Sequence, residues 1–267
     1  MHILDGKTTA DRCYQYLSVQ AAANNITPHL VVITDGLDPA SQVYIKQKQK
    51  AAEKCDFKFS IEVLNSEADF ETKIAKLAAD PNVHGIIVQQ PCAYASFEKA
   101  KRFIPIHKDV DGFATESLFI PCTPKGILTL LYNNNIDVEG KHCVVLGRSE
   151  IVGRPLAKLL MNKNATVTVC HSKTPIELRD QLLREADIIF SCTGQPRLIT
   201  PEKVKSNAII VDVGITREPD GKLCGDAGRI EDWAHTDVTI TPVPGGVGPM
   251  TVASLMQNVY IAAQGGI

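Results

Sequence analysis

The chain has 267 residues, 44% of them hydrophobic and 22% charged, with a formal net charge of -2. Such figures describe an ordinary globular protein of one large or two moderate domains. With no long basic run they give no reason to expect nucleic acid or a membrane surface as partner. No apolar stretch approaches the roughly 18 residues of a membrane span, and Met1-His2-Ile3-Leu4-Asp5 is not a signal peptide, so a cytoplasmic location is expected.

Helical and extended patterns alternate almost throughout, which predicts an α/β fold with parallel sheet. The first half reads as a helix over 7–23, a strand over 30–34, a helix over 41–55, a strand near 57–64, a helix over 70–79 and a strand over 85–89. The passage 104–122 breaks the periodicity and marks a domain boundary. Thr123 followed by Pro124 is a favourable start for a helix reaching about residue 134. Thr174-Pro175 is a second start of that kind. Strands are expected over 187–191, 208–213 and 238–241, and a final helix over 250–263. Eight cysteines, Cys13, Cys55, Cys92, Cys122, Cys143, Cys170, Cys192 and Cys224, lie far apart, with no C-x-x-C pair and no metal-ligand spacing with the histidines. They read as reduced thiols, and no metal site is expected. Cys170 and His171 are neighbours on a strand and point to opposite faces, which argues against a nucleophile and its base.

The stretch 142–174, HCVVLGRSEIVGRPLAKLLMNKNATVTVCHSKT, reads as strand, tight turn, helix, strand. Gly147 can take positive φ, and Gly153 lets the helix lie close to the sheet, so that backbone N–H groups face a pyrophosphate. Ser149 stands where the middle glycine of G-x-G-x-x-G is usual, and the spacing is one residue longer. An NAD site generally has Asp or Glu at the end of the second strand; here stand His171, Ser172 and Lys173, with Arg148 in the first turn. A hydroxyl and a guanidinium bind a 2′-phosphate that a carboxylate would repel, so NADP rather than NAD is expected.

A second constellation lies earlier in the chain. In QVYIKQKQKAAEKC, Lys46 and Lys50 share one helix face, whereas Lys48 falls with Tyr44, Ala51, Ala52 and Cys55 on the inward stripe. A lysine partly desolvated beside a tyrosine can serve as general acid or base; the alternative is a lysine snorkelling at a domain edge. Gln89 and Gln90 end the apolar run GIIVQQ, at the carboxyl end of a strand where ligands bind in open α/β sheets, or are simply the polar stop of that strand. Asp111 in KDVDG can accept two hydrogen bonds from an amino-substituted heterocycle, or belong to an ordinary Asp-Gly turn. PVPGGVGPMT, at 242–251, combines three prolines with three glycines and is expected to be irregular backbone approaching a flat ligand; the alternative is a rigid structural turn into the last helix.

In chain order DPASQVYIKQK, GIIVQQP, KDVDGF, PCTPKG, GRSEIVGRP, ATVTVCHSKT, IIVDVG and TPVPGGVGPMT together resemble the bifunctional methylenetetrahydrofolate dehydrogenase/methenyltetrahydrofolate cyclohydrolase family over nearly the whole chain. The resemblance implies two α/β domains with a cleft between them. The first is a folate-side domain over 1–119, against which a C-terminal helix over 252–267 packs back; the second is a Rossmann-type NADP-binding domain over 120–251. It also implies a tetrahydrofolate substrate and a homodimer. Lys48 falls on the cyclohydrolase acid/base, Tyr44 on the residue lining the aminobenzoate ring, Gln89 on the partner of the lysine and Asp111 on the carboxylate that holds the pterin. Gly245 and Gly246 fall on the loop beside the folate. Gly147, Arg148, Ser149, Ile151, Val152, Gly153, Ser172 and Ile215 make up the expected cofactor contacts, Arg148 and Ser172 at the 2′-phosphate. Departures are Gln90 in place of an apolar residue, Pro91-Cys92-Ala93 in place of Pro-Leu-Pro, and a shorter connection between Gly112 and Cys122 that lacks the asparagine often found there. They leave two rivals to the bifunctional reading: a dehydrogenase without cyclohydrolase activity, and a non-catalytic NADP-binding sensor.

Overall fold

The structure is a computed structural model that describes residues 1–265. In chain order its elements begin β1 (His2–Ile3), α1 (Gly6–Ala23), β2 (His29–Thr34), α2 (Pro39–Lys54), β3 (Lys58–Val63), α3 (Glu67–Ala79), β4 (Gly85–Val88) and α4 (Phe97–Phe103). An irregular passage leads to α5 (Cys122–Asn133), β5 (His142–Leu146), α6 (Gly153–Met161), β6 (Thr166–Cys170), α7 (Ile176–Glu185), β7 (Ile188–Ser191) and β8 (Ile209–Asp212). The short strands β9 (Thr216–Arg217) and β10 (Leu223–Cys224) pair antiparallel, and β11 (Thr239–Ile240) precedes α8 (Val247–Ala263).

Two compact units result, one of Met1–Ala10 with Thr123–Thr251, the other of Asp11–Cys122 with the C-terminal segment from Val252. In the first, six strands form a parallel sheet in the order β1-β11-β8-β7-β5-β6. Residues 1–10, grouped by sequence with the N-terminal domain, join this unit because His2 and Ile3 pair with Thr239 and Ile240 as an edge strand. Two residues carry no period, so nothing in the pattern announces them. β5, β7 and β8 are covered on both faces, which is why they read as unbroken apolar runs. Val144, Leu146, Ile189, Ile210 and Ile240 form the core with Trp233, whose indole N–H donates to Ala227 O at 2.8 Å.

The second unit has three parallel strands in the order β3-β2-β4, with β2 wholly buried and β3 at an edge. Val31, Ile33, Phe70, Ile74, Ile86 and Val88 fill its core. α3 begins ahead of the expected residue 70 because Ser66 Oγ accepts from Asp69 N at 3.2 Å. α4, which the sequence did not announce, is only seven residues long, too few for a helical period to show, and is capped by Ser96. Lys108 is buried and donates to Leu77 O at 3.0 Å and Asp80 O at 2.7 Å, so its charge sits on the carbonyl end of α3.

Three helix starts differ from expectation. α5 already begins at Cys122, and Thr123 Oγ1 accepts from Thr251 Oγ1 at 3.1 Å instead of capping. Thr174 Oγ1 accepts from His171 N at 3.0 Å, which closes the turn after β6 and leaves α7 without a side-chain cap. α8 begins at Val247, so the end of PVPGGVGPMT is helical; Pro249 is tolerated in its first turn, where no N–H is needed.

Candidate active site

In the first unit the chain leaves β5 for β6 on one side and returns to β7 on the other, so the sheet's switch point lies beyond the carboxyl ends of β5 and β7. Gly147 occupies it with φ +109, and a Cβ there would lie 2.8 Å from Cys192 O, at the end of β7. A Cβ at Gly153 would lie 2.2 Å from Gly147 O, so only glycine lets α6 start against the turn. Ser149 Oγ accepts from Val152 N at 3.2 Å and Gly153 N at 3.4 Å; the residue in the middle-glycine position closes the turn as a hydroxyl cap. Arg148 and Ser172 are exposed and each stands two residues past the register pair Leu146 and Cys170, which brings them to the same corner of the sheet. Ile151 and Val152 are half-buried in the turn, and Ile215 is exposed beyond β8. A tight glycine turn, a helix N-terminus and a cationic corner without a carboxylate at the end of β6 suit a phosphorylated dinucleotide.

Beneath this edge lies a feature that the sequence reading missed. Asp212, at the end of β8, accepts from Gly214 N at 3.1 Å, Asp226 N at 3.0 Å and Ala227 N at 2.7 Å. Asp226 accepts from Ser191 Oγ at 2.6 Å, Thr193 N at 2.8 Å and Thr193 Oγ1 at 2.7 Å. The two buried carboxylates thus hold the loops that follow β7 and β8. The only sequence signal is a pair of glycines: a Cβ at Gly214 would lie 2.0 Å from Asp226 Oδ1, and one at Gly225 would lie 2.0 Å from Asp212 Oδ2. Burial pushes the Asp212 carboxyl up to about 7; the Ala227 N–H opposes the shift and the charge of Asp226 adds to it. A folded pKa above the unfolded value means that the folded state binds more protons. The stabilising contribution is therefore complete below about pH 4 and is lost as pH rises through 7, with a slope of at most about 1.4 kcal/mol per pH unit. Thermal midpoints of the wild type measured against Asp212→Asn between pH 4 and 8 are expected to show this slope in the difference; a difference independent of pH would rule it out.

In the second unit α2 is started by Asp38, whose Oδ2 accepts from Ser41 N at 2.7 Å, with Pro39 in the first turn. Helical spacing then half-buries Lys48 while Lys46 and Lys50 are exposed, and Ala51, Ala52 and Cys55 are buried. Tyr44 departs from the inward stripe: it is 48% exposed, while Ser41 and Ile45 on the same helix are buried. Lys48 Nζ donates to Gln89 Oε1 at 2.9 Å. Gln89 follows β4, is buried, and donates from Nε2 to Gln90 O at 2.9 Å, which turns its amide oxygen toward the ammonium. Ser41 Oγ also donates to Gln90 O, at 3.2 Å. Gln90 spends its own amide inside the following loop, donating to Ala95 O at 2.9 Å, and Asp35 Oδ2 accepts from Ala93 N at 2.6 Å. The departures after Gln89 therefore lie in a loop held by its own Gln90 amide and by Asp35.

Asp111 is partly buried and Cys122 Sγ lies 3.9 Å from its Oδ1. Burial pushes its carboxyl up, and the charge of Lys48 pulls it back down. Lys48 thus acts on both Gln89 and Asp111, with Tyr44 one helical turn away. Gly245 and Gly246 lie in the other unit: Gly245 has φ +113, Gly246 N donates to Pro242 O at 2.8 Å, and Lys7 N donates to Gly245 O at 3.1 Å.

Taken together, the doubly wound sheet with its glycine turn and the lysine–amide–carboxylate constellation define a nucleotide-dependent α/β enzyme. The family description "Tetrahydrofolate dehydrogenase/cyclohydrolase, catalytic domain" matches residues 4–111, and its companion "NAD(P)-binding domain" matches residues 121–266. The chain belongs to the tetrahydrofolate dehydrogenase/cyclohydrolase family. It is 43% identical over 282 residues to the Bifunctional protein FolD of Dechloromonas aromatica, covering 98% of this chain and 97% of that one. The crystal structure of the bifunctional FolD dehydrogenase/cyclohydrolase from Campylobacter jejuni superimposes with a TM-score of 0.92 at 39% identity, covering 99% of each chain. That of the Trypanosoma brucei methylenetetrahydrofolate dehydrogenase-cyclohydrolase, complexed with NADP cofactor and inhibitor, gives 0.88 at 33% identity over 98% of this chain and 97% of the other.

Proposed function

We propose that this chain oxidises 5,10-methylenetetrahydrofolate to the 5,10-methenyl compound with NADP+ and hydrolyses that product to 10-formyltetrahydrofolate, with Lys48 as the acid/base of the second step. The observation that carries it is the 2.9 Å bond from Lys48 Nζ to Gln89 Oε1 in a partly buried setting. NADP+, when bound, supplies the hydride acceptor. A nitrogen lone pair of the folate helps to expel the hydride, so the chain's part in that step is to hold the substrate in line. Asp111 holds the pterin through its carboxylate, and Tyr44 offers its exposed ring to the aminobenzoate. Hydrolysis makes a different demand. Water adds to the methenyl carbon and its oxygen gives up both protons, one ending on the nitrogen whose bond to that carbon breaks and the other released to solvent. Lys48 Nζ moves these protons while Gln89 fixes its position.

Mixing protein with 5,10-methylenetetrahydrofolate and NADP+, and following NADPH together with the methenyl chromophore in a buffer that hydrolyses methenyl slowly, tests the scheme. NADPH rising while methenyl stays low and 10-formyltetrahydrofolate appears is the expected result. Accumulating methenyl would leave only the dehydrogenase.

Arg148 and Ser172 bind the 2′-phosphate in this reading. Arg148→Ala is expected to lower kcat/KM for NADP+ by roughly 10–100-fold through loss of charge-assisted bonds, with NAD+ kinetics changed by less than about threefold. Parallel titrations with both nucleotides check it, and equal losses would refute the assignment. The protein acts as a homodimer in the cytoplasm; supporting this, β3 is an edge strand among the described residues and exposes Ile61 and Val63, and the eight cysteines are in the reduced form.

A further inference from the structure

α8 buries Ala253, Leu255, Met256 and Val259, and among them Asn258, which is 1% exposed. A carboxamide in such surroundings is costly unless its hydrogen bonds are made. Asn258 Nδ2 donates to Val110 O at 2.8 Å and to Ile120 O at 3.1 Å, and lies 3.7 Å from Cys122 Sγ. Both carbonyls are acceptors only, so the orientation of the amide is fixed: the NH2 group must face them.

These two carbonyls stand at the two ends of one loop. Val110 immediately precedes Asp111, Ile120 closes the excursion, and no regular helix or strand lies between them. The loop is drawn shut at the same place by Gly112, whose φ is +76 and at which a Cβ would lie 2.7 Å from Phe119 O and 2.8 Å from Pro121 N. Val110 in turn sits against β4: a Cβ on Gly85 would lie 2.8 Å from Val110 Cγ2 and 3.2 Å from Val259 Cγ2, the neighbour of Asn258. The same turn of α8 therefore touches the base of the Asp111 loop and the strand that leads to Gln89.

We infer that Asn258 is a positioning residue for folate: its NH2 group clamps the carbonyls of Val110 and Ile120 and so sets where the Asp111 carboxylate projects. This rests on the reading of Asp111 as the group that holds the pterin. An apolar side chain at 258 would fill the same space, yet take the amide donor from Ile120 O and leave Val110 O with the weaker Cys122 Sγ donor at 3.3 Å, so the loop is free to open.

The test measures KM for 5,10-methylenetetrahydrofolate and for NADP+, kcat and the thermal midpoint in Asn258→Leu, Asp111→Asn and the double variant. The expected result is a folate KM raised about tenfold or more in Asn258→Leu with NADP+ KM within about twofold, since misplacing a binding group by an ångström is enough for such losses. In the Asp111→Asn background the same change should add less than about threefold, because it acts through a group already removed. Fully multiplying effects in the double variant, an unchanged folate KM, or both KM values rising together with the fall in midpoint would overturn the inference. If Asp111→Asn alone leaves folate KM unchanged, the reading of Asp111 itself has failed and the inference falls with it. Should Asn258→Leu not fold, Asn258→Ser, which keeps a donor for one carbonyl, carries the same comparison.

Discussion

Lys48→Met is expected to lower cyclohydrolase turnover by at least about 10²–10⁴-fold, the range for loss of a general acid/base, while dehydrogenase turnover stays within roughly tenfold. Methionine keeps the length and the apolar stem, so α2 should be undisturbed; what is lost is the proton carrier and the partner of Gln89 Oε1. Hydride departure needs no proton transfer, and this asymmetry is why one substitution separates the two activities. A second effect follows from charge. Lys48 pulls the Asp111 carboxyl down against its burial. Without it, Asp111 protonates at higher pH, and folate binding weakens as pH falls in the variant sooner than in the wild type. Stopped assays of both products across pH, with folate binding measured separately, check both statements. Equal loss of the two activities in a folded variant that still binds folate would refute the division of labour.

Gly153→Ala is expected to destabilise the protein by about 2–3 kcal/mol or more, as overpacking does, and to raise KM for NADP+ by roughly 100-fold or more. The added Cβ would stand 2.2 Å from Gly147 O, which is backbone and cannot swing aside. Either α6 backs away from the sheet or the turn opens, and each moves the N–H groups proposed to face the pyrophosphate. Chemical denaturation together with NADP+ titration decides the matter; a variant with normal stability and normal affinity would show that the close approach is dispensable.

How legible these sites were depended on the distance over which each signal acts. Lys48 could be separated from Lys46 and Lys50 because a 3.6-residue period is local, and the three do differ in exposure as that period requires. Tyr44 escaped the same rule, since what covers a helix face is tertiary. The Gly147 turn was readable from its strand–turn–helix setting, whereas the role of Ser149 as a cap depends on an actual bond to Val152 N and Gly153 N. Asp212 and Asp226 were invisible: their mutual burial is a matter of two loops meeting, and aspartate before or after glycine is ordinary turn composition. Asn258 lay hidden for the opposite reason, as one of several polar residues in a mostly apolar helix that gives no hint of the loop it serves.

The segment KDVDGF looks from its composition like a dense patch of ligand-binding charge. Its three charges are assigned to three masters: Lys108 to the carbonyl end of α3, Asp109 to Ala114 N at 2.8 Å in its own turn, and Asp111 to the neighbourhood of Lys48. Two of the three thus serve architecture, and only Asp111 is left for the substrate contact proposed above. Redesign of specificity has one position to work with in this segment. Altering either of the others would change the scaffold that presents it.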